Sequence, residues 1–235
     1  MGIKIPVLRE LLRNYDVTDE KRDYLEQLNR EAGQKGWWQS GGGTLRDPTR
    51  TIISLEAEAS YIDDYSATVI NGLAQTRDYA SAIVRRGLPD DSDEDIETFV
   101  NYRIRRQERL PQLRLWLILA EETLLRPIGG RQVMKNQLRH LLNLSIQPRV
   151  DIQILGLDEG EHAALGGNFT IIGFDALSDP EAVYVEGQFW DACIEDEDRV
   201  AVYKRSFDLL RANAMGQEKS RSKLEEIMRR YDTNG

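Results

Sequence analysis

Cysteine occurs once in these 235 residues, at Cys193, and histidine twice, at His140 and His162. One thiol excludes an intramolecular disulfide and fits a reducing cytoplasm. A zinc site needs about four nitrogen or sulfur ligands, usually in closely spaced pairs. These three residues offer no such spacing, so neither metal nor cofactor is expected. Long apolar runs are missing too. The longest, LWLILA (115–120), suits a buried strand and falls far short of a membrane span of ~20 residues. The opening MGIKIPVLRELL has no apolar stretch of signal-peptide length, and a cytoplasmic chain without membrane contact is expected. Positive charge is in the minority, with 31 Lys and Arg against 40 Asp and Glu. A net charge of −9 repels phosphate, which makes the chain as it stands a poor ligand for nucleic acid.

Catalytic signatures are equally scarce. The glycine clusters at 41–43, 128–130 and 165–167 lack the lysine and hydroxyl of a P-loop, and none forms G-x-G-x-x-G between a strand and a helix. There is no G-x-S-x-G and no Cys/His pairing, so Cys193, just after Trp190, reads as packing. No catalytic residue is assigned and the chain is not expected to be an enzyme.

What is present is helix, then sheet. Pro6 opens a short helix with Leu8, Leu11 and Leu12 on one side. Residues 18–36 form a second helix capped by Thr18, and WWQSGGGTLRDPT (37–49) is the best linker. Helices are predicted over 51–66, 71–87 and 89–110; the first places Ile52, Leu55, Ala59 and Ile62 at helical spacing, and the last is capped by Ser92. After Pro111 come strands at 113–120, 149–155, 168–174 and 182–187, the last two joined closely enough for antiparallel pairing. An amphipathic helix covers 131–145, a helix at 197–215 closes the domain, and a short helix at 222–235 follows. The fold class is α+β: an N-terminal helical segment, then a mostly antiparallel sheet with helices packed on it.

Several residues invite a functional reading. Glu121 and Glu186 each end a strand, and both would line one sheet edge as ligand contacts or a general base; a cap or salt bridge is the alternative. Gly129 precedes a helix, where its amide would bind an anion or simply turn the chain. Arg103, Arg105, Arg106 and Arg109 form a basic run, either facing an anionic partner or lying on a solvated face paired with neighbouring acids. A pocket lined by Trp116, Tyr184 and Trp190 would argue for a ligand. Arg126, Gly167 and Phe169 complete the candidate ligand- or partner-binding set.

The segments GLAQTRDYA (72–80), RRQERL (105–110), LWLILAEETLLRPIGG (115–130), QLRHLLNLSIQPRVDIQIL (137–155), GGNFTIIGF (166–174) and VYVEG (183–187) occur in that order. The series resembles the C-terminal domain of actinobacterial XRE-family helix-turn-helix transcriptional regulators, over about residues 50–230. Two departures are Asn71 before Gly72, where the family often has proline, and Ala74 in place of a usual leucine. The resemblance implies that residues 1–17 are a remnant of the helix-turn-helix domain, 18–50 a connecting helix and linker, and 51–235 a regulatory domain. It implies a homodimer that modulates DNA binding by a helix-turn-helix module missing from this chain. It also implies a small partner protein encoded nearby. An enzyme handling a nucleotide-like substrate with Glu186 and Glu121 in its cleft, or a pure protein-interaction module, are the alternatives.

Overall fold

A computed structural model describes residues 5–15, 17–32, 47–175, 180–187 and 191–232. The chain divides into two compact units, 1–46 and 47–235. The break falls ahead of the predicted 50/51 boundary because helix α3 (Asp47–Glu58) already starts there. The predicted linker lies outside the described residues up to Arg46. In the first unit α1 (Ile5–Asn14) packs on α2 (Asp19–Ala32), so segments read as separate fall together. Arg9 grips the buried Glu26 carboxylate with two hydrogen bonds of 2.6 and 2.8 Å. Leu12 is buried, Leu8 half-buried and Leu11 exposed.

The second unit is built on a six-stranded sheet. Its strands are β1 (Tyr61–Ser66), β2 (Arg114–Ala120), β3 (Val150–Leu155), β4 (Phe169–Gly173), β5 (Ala182–Glu186) and β6 (Asp191–Ile194). The spatial order is β3-β2-β1-β4-β5-β6. The sheet is antiparallel from β1 through β6 and parallel across β3-β2-β1, so three of its five pairings are antiparallel. The α+β expectation holds.

Parallel neighbours need crossovers. Helices α4 (Arg77–Gly87) and α5 (Asp93–Arg106) bridge β1 to β2, and α6 (Glu121–Leu125) and α7 (Arg131–Leu144) bridge β2 to β3. Both crossovers step the same way across the sheet, and right-handed crossovers that do so lay their helices on one face. The core there joins Ile62, Leu115, Leu117, Ile152 and Ile172 to Ile52 of α3, Tyr79 of α4, Leu138 of α7 and Leu224 of α9 (Gln217–Arg230). On the other face Ile118, Phe169, Ile171 and Val183 pack against Val200, Phe207 and Leu210 of α8 (Glu197–Asn213). The edge strand β3 is protected: Met215 N donates to Ile154 O and Ile154 N to the Ser220 hydroxyl.

Local chemistry fixes several ends. Thr76 caps α4, Ser92 caps α5 as predicted, and Asp196 caps α8. Asp93, Glu94 and Asp95 at the start of α5, with three arginines at its end, complement the helix dipole.

The predicted helix over 51–66 is corrected. Its second half is β1, the strand on which the parallel and antiparallel halves meet. The spacing of Ile52, Leu55, Ala59 and Ile62 fits a helix, but pairing on both sides of β1 overrides it. Adjacent aspartates hid the strand, since Asp63 and Asp64 are unusual in a sheet interior. Asp63 faces the Arg114 guanidinium at 3.2 Å, and Asp64 accepts from three donors, Ser66, Asn71 and Thr170. Strand β6 was not predicted either, and Cys193 within it is exposed instead of packed.

Candidate functional site

On the helical face, where β1 ends, the chain turns through residues 67–76 and leaves a cleft of about 140 Å³. Glu56 of α3, Arg103 and Arg106 of α5, Asp64 of β1, and Tyr184 and Glu186 of β5 line it.

Arg103 and Arg106 come from the basic run, and the helix period divides that run. Arg105 points to solvent, while Arg103 and Arg106 turn inward. Arg106 binds the Glu56 carboxylate through Nε at 2.6 Å and Nη2 at 2.5 Å. Both side chains are nearly inaccessible, 10 % and 4 % exposed. Burial alone would lower the pKa of Arg106, but Glu56 outweighs it and the guanidinium is held above its ordinary value. Arg103 has no such carboxylate. Its Nη1 donates to Gln75 Oε1 at 3.1 Å, and no ion pair forms with it among the described residues. Burial, then the neighbouring Arg106 charge, pull its pKa below the arginine norm, and Glu186 opposes them. It stays charged at neutral pH.

Asp64 is the buried carboxyl group of the site. Its Oδ1 accepts from Asn71 Nδ2 and Thr170 Oγ1, both at 2.7 Å, and Oδ2 from Ser66 Oγ at 2.6 Å. Burial raises its pKa and these three hydrogen bonds pull the other way. Desolvation also raises the Tyr184 phenol, with Asp191 and Glu186 adding to it.

Three glutamines hold the turn over the cleft. Gln75 Nε2 donates to Ile70 O at 2.6 Å. Gln107 Nε2 donates to Gly72 O at 3.0 Å and Gln75 O at 2.7 Å. Gln137 accepts from Thr76 N and donates to Ala74 O, each at 2.6 Å. The segments GLAQTRDYA, RRQERL and QLRHLL, far apart in sequence, therefore converge on one turn. Sequence reading missed Glu56, Asp64 and these glutamines. Their partners lie 28 to 106 residues away, except for the local bonds of Asp64 and Gln75, so no short-range pattern marks them.

The predicted site residues scatter. Tyr184 and Glu186 reach the cleft, and Phe169 borders it while its ring packs on the opposite face against Tyr203 and Phe207. Trp116 also faces the α8 side, donating to Gln153 at 2.9 Å beneath the Arg211 guanidinium, so it shares no pocket with Tyr184. Trp190 lies outside the described residues. Glu121 shares the sheet edge with Glu186 but not the cleft; it pairs with Lys223 at 2.9 Å and accepts from Leu157 N. Gly129 and Gly130 have φ of +73° and +91°, and a Cβ on Gly129 would sit 2.7 Å from Val133, so backbone geometry accounts for them. Gly167 has φ of +126° in the turn before β4, and Arg126 is exposed just after α6.

Among the described residues no three His, Cys, Asp or Glu side chains gather as metal donors, and no helix is long and apolar enough to cross a membrane. Comparison with the curated proteins finds no match. The family model described as a domain of unknown function, DUF5753, matches residues 49–226, nearly the whole unit that carries the sheet and the cleft, and the chain belongs to that family.

Proposed function

We propose that the sheet-bearing unit is the regulatory, ligand-sensing domain of a cytoplasmic XRE-type transcriptional regulator, acting as a homodimer. Operator DNA is bound by a helix-turn-helix module outside these residues, and the cleft sets that module's affinity. A small partner protein encoded nearby docks on the same domain. One observation carries the sensing role: a polar cleft in which the buried acids are already engaged while a buried-side cation keeps spare donors. Glu56 and Asp64 have their partners, which suits a rigid binding floor better than proton transfer. The net charge of −9 further supports DNA contact through a separate module.

Gel shifts at moderate salt on DNA flanking the gene test this. The 235-residue chain gives no sequence-specific shift, whereas a longer chain carrying the helix-turn-helix does, and Arg103→Gln alters that shift. A specific shift by the 235-residue chain alone overturns the reading.

A further inference from the structure

Two charged groups in the cleft remain available after its internal bonds are counted. Arg103 uses one of its N–H donors on Gln75. Its other nitrogens are not sealed from solvent, for none is a buried atom lacking a partner. A guanidinium has five donors in a planar fork that matches an oxyanion. Glu186 is exposed at the end of β5, and among the described residues it forms no ion pair. It lies near enough for its field to reach both Arg103 and Arg106. The amides around them are committed: Asn71 to Asp64 and Leu73 N, Gln75 to Ile70 O and Arg103.

We propose that the cleft binds a small zwitterion, with its carboxylate or phosphate on Arg103 and its ammonium on Glu186. The inference rests on the sensing role above and names its ligand class. A plain anion would satisfy Arg103 but be repelled by Glu186 and Asp191; a plain cation would satisfy Glu186 but leave the spare donors of Arg103 unanswered. A molecule carrying both charges answers the field at both ends. Size narrows the class. About 140 Å³ is well under the ~300 Å³ at which pockets for drug-sized ligands begin, so a nucleotide is too large.

Two probe pairs test this on the 235-residue chain by calorimetry at constant ionic strength: inorganic phosphate with O-phosphoethanolamine, and propionate with β-alanine. In at least one pair the zwitterion binds at least tenfold tighter than its plain anion, and the pair that responds identifies the head group. Arg103→Gln weakens both members at least tenfold, and Arg103→Lys, which keeps the charge without the fork, falls between. Glu186→Gln brings the two members of the responding pair within about twofold of each other, a loss for the zwitterion and a gain for the anion. Circular dichroism checks that the Arg103 variants fold; Glu186 is exposed, so its arm stands by itself. Absence of binding by all four probes, equal binding within both pairs, or zwitterion binding unchanged by Glu186→Gln overturns the assignment. Binding as expected with no effect on operator affinity in the longer chain would leave the ligand class standing and remove the regulatory reading.

Discussion

Glu186 ends β5 and Glu121 directly follows β2 as the first residue of α6; the two strands point the same way, and both carboxylates stand at one edge of the sheet. Three strand spacings separate them, about 14 Å at ~4.8 Å each. Their surroundings are opposite. Behind β2 the chain crosses over to a parallel neighbour, and helices return across that edge; α9 brings Lys223 onto Glu121 and seals it. The next strand after β5 is its antiparallel neighbour β6, and among the described residues Glu186 forms no ion pair. The C-terminal helix α9 supplies cover and a counter-ion at Glu121, whereas Glu186 is exposed and forms no ion pair among the described residues. The sealed end is structure, and the open end is where a ligand has room.

The sharpest way to break this contrast is at the cleft floor. If the open end were soft throughout, losing Glu56 would cost little. We expect the reverse, because Glu56→Ala strands the Arg106 guanidinium, only 10 % exposed, without its carboxylate. Breaking one partner of a buried pair costs about 3–5 kcal/mol. Urea denaturation reads this as a lowered midpoint, and a loss under about 1 kcal/mol would show that the pair is not part of the floor.

A smaller effect separates the two strand-end carboxylates themselves. Glu121→Ala takes the nearer carboxylate from Lys223, leaving it only Glu226 at 3.6 Å, and leaves Leu157 N without its acceptor, for a loss of about 2–3 kcal/mol. Glu186→Ala removes an exposed side chain that forms no ion pair among the described residues and should stay within about 0.5 kcal/mol. Equal losses in parallel denaturation curves would erase the distinction between sealed and open ends.

The same contrast shows what a sequence can reveal. Strands β2 to β5 were legible because an apolar run or clean alternation matches a buried strand, and Ser92 was legible because a cap acts over three residues. Helix-like spacing misled at 51–66, where β1 is settled by neighbours in space. That error hid Asp64, and with it the carboxyl group on which Ser66, Asn71 and Thr170 converge. The basic run was legible as a run, but which arginines turn inward depends on the phase of α5 against the sheet. The edge shared by Glu121 and Glu186 followed from strand ends; that one would be neutralised depended on α9, about 100 residues from Glu121 in sequence.

The smallest effect tests how complete the seal is at the parallel half. Helix α7, which packs with α9 there, carries His140, whose Nε2 is buried with no hydrogen-bond partner. Desolvation lowers the pKa of His140, so the folded chain keeps this imidazole neutral where the unfolded chain, titrating near ~6.5, takes up a proton. Where the unfolded state binds more protons, stability rises with pH. The contribution of neutral His140 is therefore complete above ~6.5 and is lost as pH falls from there through the folded-state value. Urea midpoints at intervals from about pH 5 to 7.5 should decline on the acid side for the native chain and decline less for His140→Gln. Parallel acid limbs would mean that water reaches Nε2 and that the sealed half leaks at α7.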